Sequence, residues 1–245
     1  MAQETKVALI TGANRGIGLE TAKQLGEKGV TVVVGARSLS AAEETAGKLK
    51  SAGIDAYGIQ LDVTKPADRV AAASYLAGKF GKLDILINNA GVATEGGLQN
   101  VTSQVSDADL LRVFDTNLFS VVALTRELLP LLKKSEAGRI VNLSSILGSL
   151  ALHADPESPI ADTKIFAYDA SKSALNAYTI HLAHELQGTA IKVNSAHPGW
   201  VKTEMGTSAA PMEIPDGAKT SVELALLGPD GPTGKFIHLG TELPW

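Results

Sequence analysis

Short apolar runs recur along the chain, and each is separated from the next by a stretch long enough for a helix. The runs are Val7–Ile10, Val30–Val34, Tyr57–Leu61, Ile85–Ile87, Ile140–Leu143 and Ile191–Val193. Short continuous apolar runs of this kind are typical of strands buried on both faces of a parallel sheet. The alternation therefore predicts an α/β fold, with crossover helices on both faces of one sheet.

The stretches between these runs carry helical periodicity, which is clearest in the second half of the chain. An apolar stretch from Leu110 to Leu129 predicts a long fourth helix that runs until Pro130 disturbs it. A further helix is predicted from about Ala167 to Leu186, where alanines at helical spacing allow close packing against another element. This second helix also holds the candidate catalytic residues.

Two segments, 148–165 and 200–215, interrupt the periodic pattern with prolines and glycines. Long irregular segments in a compact domain are more often binding loops than idle connections. We therefore expect them to border a substrate site. Apolar residues in and beside these segments predict an apolar pocket and hence an apolar small-molecule substrate: Leu147, Leu150, Ile160, Trp200 and Met205.

Length and composition limit the possible folds and binding partners. The 245 residues, 44% of them hydrophobic, suffice for a single domain over residues 1–245. A net charge of −4 offers no basic field for nucleic acid or an anionic membrane. The absence of cysteine excludes disulfides and fits a reducing compartment, so a cytoplasmic location is expected. The segment Met1–Lys6 has no targeting character, and no apolar run approaches the length of a membrane span.

A glycine-rich loop, Thr11–Gly18, follows the first predicted strand and opens the first helix. Gly12, Gly16 and Gly18 permit a tight turn and let backbone N–H groups approach a pyrophosphate at the helix N-terminus. Their spacing is G-x-x-x-G-x-G, which differs from the common dinucleotide fingerprint G-x-G-x-x-G. The loop thus predicts a dinucleotide site, with a ligand-free glycine turn as the alternative.

Charge at the end of the second predicted strand bears on which cofactor is bound. A carboxylate there would hydrogen-bond the ribose 2′-hydroxyl of NAD. Here Arg37 occupies that neighbourhood, and Arg15 lies in the glycine loop. Two guanidinium groups can bind a 2′-phosphate, so NADPH/NADP+ is the predicted cofactor unless both are solvated surface charges. Asp62, after the third strand, is a candidate acceptor for the adenine amino group or a cap of the next helix.

Tyr168 and Lys172 lie four residues apart, so their side chains share one face of the predicted helix. A phenol has a reference pKa of about 10, and a nearby ammonium could lower it enough to relay protons. Ser144 and Ser145 follow the fifth strand, where one hydroxyl could hold a carbonyl oxygen or both could be turn residues. The pair lacks a G-x-S-x-G elbow, which disfavours a serine nucleophile.

Three further polar positions complete the residue-based candidates. Asn117 interrupts an apolar helical stripe and is either structural or catalytic. The sequence Asn88–Gly91 ends the fourth strand with small residues that suit the close approach of a ligand. His181 and His184 have no cysteine or carboxylate cluster at metal-ligand spacing, so no metal site is predicted.

Taken together, these motifs resemble the classical short-chain dehydrogenase/reductases over essentially the whole chain. They are Thr11–Gly18, Asn88–Gly91, Asn117, Ser145, Tyr168 with Lys172, and Pro198-Gly199 leading to Thr203. The resemblance implies a Rossmann-type doubly wound sheet of seven parallel strands. It also implies a Ser145–Tyr168–Lys172 triad, extended by Asn117, which helps to fix a proton-relay water beside the lysine.

The resemblance also assigns cofactor contacts: Lys172 to the nicotinamide ribose, Asn89 and Gly91 to the adenosine ribose, and Pro198 to Thr203 to the carboxamide. The full expected cofactor-binding set is Gly12, Asn14, Arg15, Gly16, Ile17, Gly18, Arg37, Asp62, Val63, Asn89, Ala90, Gly91, Tyr168, Lys172, Pro198, Gly199, Val201 and Thr203. The tail from Asp230 to Trp245 is similar to the carbonyl reductase branch. The separation of 23 positions from Ser145 to Tyr168 indicates an intermediate insertion for that branch, which leaves monomer, dimer and tetramer open.

The leading hypothesis is NADPH-dependent reduction of an aldehyde or ketone to an alcohol, with Tyr168 as the general acid. NADP-dependent oxidation of a secondary alcohol uses the same residues and is the first alternative. An NADPH-sensing protein without turnover is the second, since a fold does not fix a function. A nucleotide-sugar epimerase ranks third because the chain has little room for an added substrate domain.

Overall fold

A computed structural model describes residues 5–93 and 101–245 of the chain. Residues 1–4 of the predicted N-terminal segment Met1–Lys6 lie outside the described residues. Within the described ranges, eight strands form one sheet in the order β3-β2-β1-β4-β5-β6-β7-β8. Their bounds are β1 (Val7–Thr11), β2 (Thr31–Ala36), β3 (Ala56–Gln60), β4 (Ile85–Asn88), β5 (Arg139–Leu143), β6 (Lys192–Ala196), β7 (Phe236–His238) and β8 (Thr241–Glu242).

Strands β1 to β7 are parallel, and β8 pairs antiparallel with β7. Each of the six predicted strands overlaps an observed one, so the doubly wound α/β architecture is confirmed. The expected count of seven strands is wrong by one. The chain reverses at Leu239 and Gly240, both at positive φ, and adds β8 at the edge. The apolar pattern misses β8 because both of its residues are exposed.

Eight α-helices flank the sheet within the described residues: α1 (Gly16–Glu27), α2 (Leu39–Ser51), α3 (Pro66–Phe80), α4 (Asp107–Phe114), α5 (Ser120–Leu132), α6 (Leu150–Ala154), α7 (Phe166–Glu185) and α8 (Ile214–Ala225). Helices α1, α2 and α8 pack on one face of the sheet, and α3, α5 and α7 pack on the other. Side chains alternate between these two apolar cores along each central strand, which explains why the strands read as continuous apolar runs.

The long fourth helix expected from the sequence is present, but it is not α-helical throughout. Helix α4 passes into one π-helical turn, Asp115–Phe119, before α5 begins. Pro130 does not end α5, which continues to Leu132. Pro130 and Arg126 are both exposed, so water can satisfy the Arg126 carbonyl that loses its helical N–H partner. The apolar pattern carries no trace of the π turn because the residues around it are apolar on several faces.

The two irregular segments behave differently. Segment 148–165 contains the short helix α6 and then turns up to the start of α7. Segment 200–215 stays irregular until α8 begins at Ile214, apart from a bridge between Val201 and Met212. Among the described residues, no helix has both the length and the apolar character that a membrane span requires.

Candidate active site

A cleft of about 900 Å³ opens at the carboxyl ends of the strands, between β1 and β4. At this point the strand order reverses, because β2 and β3 lie on one side of β1 and the later strands lie on the other. This is the position at which open parallel sheets bind ligands. The loops after β1, β2, β3, β4, β5 and β6 all reach it. Its lining includes these predicted cofactor residues: Gly12, Asn14, Arg15, Gly16, Ile17, Gly18, Arg37, Asp62, Val63, Asn89, Ala90, Gly91, Tyr168, Lys172, Pro198 and Thr203.

The glycine loop is shaped so that backbone, rather than side chains, faces the cleft. Gly12 and Gly16 have φ of +62° and +56°, which L-residues rarely adopt. A Cβ on Gly18 would lie 2.7 Å from the Gly12 oxygen and would also strike the Asn89 amide. The Asn89 Nδ2 donates to the oxygen of Thr11 at 2.7 Å and braces the loop. The N-terminus of α1 thus faces the cleft and fits a pyrophosphate.

Three charged candidates, Arg37, Arg15 and Asp62, line the same cleft but differ in their contacts. Arg37 is exposed after β2, and no described residue contacts its guanidinium through a hydrogen bond or ion pair. Arg15 forms an exposed ion pair with Glu204 from segment 200–215. The Asp62 carboxylate accepts hydrogen bonds from the backbone and hydroxyl of Thr64. Burial raises the Asp62 pKa, but those bonds and the Lys65 charge outweigh it, so the pKa is lowered and the group is ionised.

Lys172 is buried in α7, with 4% of its surface exposed. Its Nζ donates to the Leu143 oxygen at the end of β5 at 2.7 Å and lies 5.6 Å from the ring centroid of Tyr168. Burial lowers the pKa of Lys172 to about 8. The spacing of four residues therefore does place both groups on one helical face, as the sequence predicts.

Tyr168 is held as a neutral phenol. Burial raises its pKa to about 12, a hydrogen bond with Ser145 acts in the opposite direction, and the neighbouring Asp169 raises it further. The sequence-based hypothesis was that Lys172 lowers the pKa of Tyr168. In the protein without cofactor, the increase caused by desolvation is larger than any lowering. A phenol that keeps its proton near neutral pH can act as a proton donor.

Ser145 lies at the beginning of the 3₁₀ turn Ile146–Gly148, directly after β5. Its Oγ accepts from the Leu147 backbone at 3.2 Å, and its hydroxyl lies close enough to Tyr168 to act against the burial that raises the tyrosine pKa. Of the serine pair, Ser144 lines the main cleft, whereas Ser145 faces the tyrosine. Ser145 is therefore the member of the pair that lies beside Tyr168.

Asn117 is buried in the π-helical turn between α4 and α5. Its amide exchanges two hydrogen bonds of 2.9 Å with the backbone of Val92 and donates to the Ser171 hydroxyl at 3.0 Å. It thereby ties the loop after β4 to α7, one residue from Lys172. π-Helical turns are frequent at functional sites because they reorient single residues. Structural and site-forming roles coincide at this residue.

Comparisons with known proteins agree with this geometry. Residues 6–214 match the family model described as short chain dehydrogenase. Short-chain dehydrogenase/reductase 1 from Saponaria officinalis is 32% identical, over 99% of this chain and 97% of the relative. (-)-Isopiperitenone reductase from Mentha piperita is 31% identical, over 97% of each chain. The chain belongs to the short-chain dehydrogenase family. The NADPH-bound carbonyl reductase from chicken fatty liver has the same fold, with a TM-score of 0.86, 28% identity and coverage of 99% of this chain and 100% of that one.

Membership confirms the resemblance read from the motifs, including the carbonyl reductase-like branch. This short-chain dehydrogenase is an oxidoreductase that uses a nicotinamide dinucleotide, NAD or NADP. Two expected cofactor residues stand apart from the cleft. Gly199, at φ of +88°, packs on Met212, and the buried Val201 side chain packs on Gly217. They shape the chain on either side of Trp200 rather than lining the cleft.

Sequence reasoning missed several residues that line the cleft of this short-chain dehydrogenase. Arg112, Asp115 and Thr116 form a polar edge on α4 and the π turn, and their spacing of three and four was the available signal. Glu204 and Ile214 also line it, and segment 200–215 gave no periodic pattern from which to find them.

The predicted apolar pocket is assembled only in part. Met205 lines the cleft, while Trp200 is half exposed and donates through Nε1 to the Gly206 oxygen. Ile160 is buried, and Leu150 borders a separate pocket of about 310 Å³ beside α7. His181 and His184 are exposed, and the described residues include no cluster of three or more potential metal ligands.

Proposed function

We propose that this chain reduces an aldehyde or ketone to an alcohol with NADPH. The observation that carries the proposal is the convergence of Tyr168, Lys172 and the glycine loop on one cleft, with Ser145 beside the tyrosine. The similarity to a plant reductase and to an NADPH-bound carbonyl reductase supports the same direction of reaction.

The preference for NADPH rests on charge. Arg37 and Arg15 both line the cleft near the end of β2, and no acid follows that strand where a ribose hydroxyl would need one. Guanidinium groups bind phosphate through paired hydrogen bonds, so they favour the cofactor that carries a 2′-phosphate. Gly12 and Gly16 leave room for the pyrophosphate to approach the N-terminus of α1.

The cofactor, when bound, supplies the hydride that the carbonyl carbon accepts. Tyr168 gives its phenolic proton to the carbonyl oxygen as negative charge develops there, and Ser145 holds that oxygen by a hydrogen bond. The buried ammonium of Lys172 stabilises the phenolate that remains. Asn117, which hydrogen-bonds the loop after β4, would orient a water beside Lys172 for reprotonation.

The experiment is a paired binding titration with NADPH and NADH, followed by NADPH consumption on aldehydes, diketones and cyclic ketones. The wild type is expected to bind NADPH more tightly and to consume it with at least one carbonyl. Tyr168→Phe should bind NADPH as the wild type does but lower kcat by about 10²–10⁴-fold. Binding without consumption on any carbonyl would instead favour an NADPH sensor, and equal affinity for NADH would contradict the cofactor assignment.

A further inference from the structure

We propose that Glu204 competes with the 2′-phosphate of NADPH for the guanidinium of Arg15 and so sets how tightly this protein holds that cofactor. The inference rests on the proposed NADPH preference. It adds a specificity-determining residue from segment 200–215, which the motifs of the family do not include. The consequence is that a carboxylate within the cleft weakens the binding of the 2′-phosphate.

The first observation is the ion pair itself. Arg15 Nη1 contacts Glu204 Oε2 across 189 residues of sequence, and both side chains line the main cleft. Arg37 lines the same cleft, and no described residue contacts its guanidinium. Of the two arginines assigned to the phosphate, one is therefore already neutralised by a carboxylate and the other is not.

The second observation is that Glu204 is held close to the glycine loop by a fixed turn. The Thr203 Oγ1 accepts from the Gly206 backbone at 3.0 Å, and Thr203 N–H donates to the Val201 oxygen at 2.8 Å. Thr203 also approaches the glycine loop, since a Cβ on Gly16 would lie 3.7 Å from its Cγ2. The backbone on both sides of Glu204 is therefore positioned beside Arg15.

The negative charge of Glu204 is expected to lower the affinity for NADPH. A phosphate dianion that reaches Arg15 must either displace Glu204 or lie next to its negative charge, and both lower the affinity. The ion pair is mostly exposed, with 65% and 74% of the two side chains accessible, so it is weak enough for a phosphate to displace. NADH has no 2′-phosphate and makes no such demand on Arg15.

The test compares Glu204→Gln with Glu242→Gln. Glu242 pairs with Lys235 at the edge of the sheet, and neither residue lines the cleft, so its substitution makes the same change in net charge without touching Arg15. Dissociation constants are measured by calorimetry for NADPH, NADH and adenosine 2′,5′-bisphosphate. Glu204→Gln is expected to bind NADPH and the bisphosphate about two- to five-fold more tightly, with NADH unchanged. Glu242→Gln should leave all three constants near those of the wild type.

Unchanged or weaker NADPH binding by Glu204→Gln would overturn the inference, as would equal tightening by Glu242→Gln. In an Arg15→Gln background, Glu204→Gln should no longer tighten NADPH, and a persisting effect would show that Glu204 acts elsewhere. Failure of the proposed NADPH preference is recognised separately, because it would appear as equal binding of NADPH and NADH by the wild type. The Glu204 result is a ratio between variants on the same ligand.

Discussion

Asp169, the residue after Tyr168, is a buried carboxyl group with incomplete hydrogen bonding. Its Oδ2 accepts from the Ile165 backbone at 2.8 Å and lies 3.5 Å from His153 Nε2, while Oδ1 is buried without a partner. Burial raises the pKa of Asp169 to about 7, against lowering by the Ile165 bond and by the charge of Lys164. Burial also lowers the pKa of His153, so this histidine is neutral near pH 7 and gives the carboxylate no charge.

We predict that Asp169→Asn reduces the dependence of stability on pH. The unfolded protein releases the Asp169 proton near pH 4 and the folded protein near pH 7, so the folded state loses stability as pH rises through that window. The slope from this group is at most about 1.4 kcal/mol per pH unit. Asparagine keeps an acceptor for Ile165 but does not titrate.

Urea unfolding between pH 4.5 and 8 measures this slope. Asp162→Asn, at an exposed carboxylate of the same inserted segment, is the matched control and should keep the wild-type slope. If Asp169→Asn retained that slope as well, the carboxyl would have to ionise in the folded protein as easily as in the unfolded one.

At the scale of elements, the 3₁₀ turn that carries Ser145 is seated directly on α7. A Cβ on Gly148 would lie 2.9 Å from the Lys172 carbonyl carbon and Cβ. The Gly148 oxygen accepts from Ser173 Oγ at 3.0 Å and from Asn176 Nδ2 at 3.3 Å. Glycine at this position therefore allows the turn with Ser145 and the helix with Tyr168 and Lys172 to make close backbone contact.

We predict that Gly148→Ala separates these two elements. The added methyl group must push the turn from α7, which should lower the unfolding free energy by about 1–3 kcal/mol and lower kcat. Gly47→Ala is the control, because Gly47 lies in α2 with open space around it, and there alanine should stabilise the protein by about 0.5–1 kcal/mol. Urea unfolding and steady-state kinetics measure both effects. Equal effects of the two substitutions would mean that the turn tolerates the methyl group without moving.

How much of the fold and of the site could be predicted from the sequence differs from element to element. Parallel strands such as Val7–Thr11 were predictable because burial on both faces makes them continuously apolar. Tyr168 and Lys172 were predictable because a helix converts a spacing of four into one face. The π turn around Asn117 could not be predicted, because it adds one backbone residue without changing side-chain polarity. The contact of Glu204 with Arg15 could not be predicted either, because it depends on how two loops that are distant in sequence meet.

At the scale of the whole molecule, Arg139 joins parts of the fold that are distant in sequence. It begins β5, has 2% of its surface exposed, and donates to four carbonyl oxygens within 3.1 Å. These belong to Gly138, Ala190, Leu227 and Gly228. The guanidinium thus connects the start of β5 with the segment before β6 and with the end of α8.

We predict that Arg139→Lys destabilises the entire domain by about 3 kcal/mol or more. Lysine keeps a positive charge but has one nitrogen in place of three, so carbonyl groups buried by the fold would lose donors while a compact cation stays buried. Arg126→Lys, at an exposed position of α5, should cost less than about 0.5 kcal/mol. Urea unfolding gives both values.

Amide exchange then decides whether the effect belongs to the whole molecule or to one edge of it. Because Arg139 contacts both the middle of the sheet and the end of α8, its loss should lower protection in β1 and β4 as much as in β6 and α8. Loss of protection confined to α8 and β7 would instead mean that this edge opens independently. In that case the equilibrium cost in urea would be small, and the role of Arg139 would be to close the edge rather than to hold the domain together.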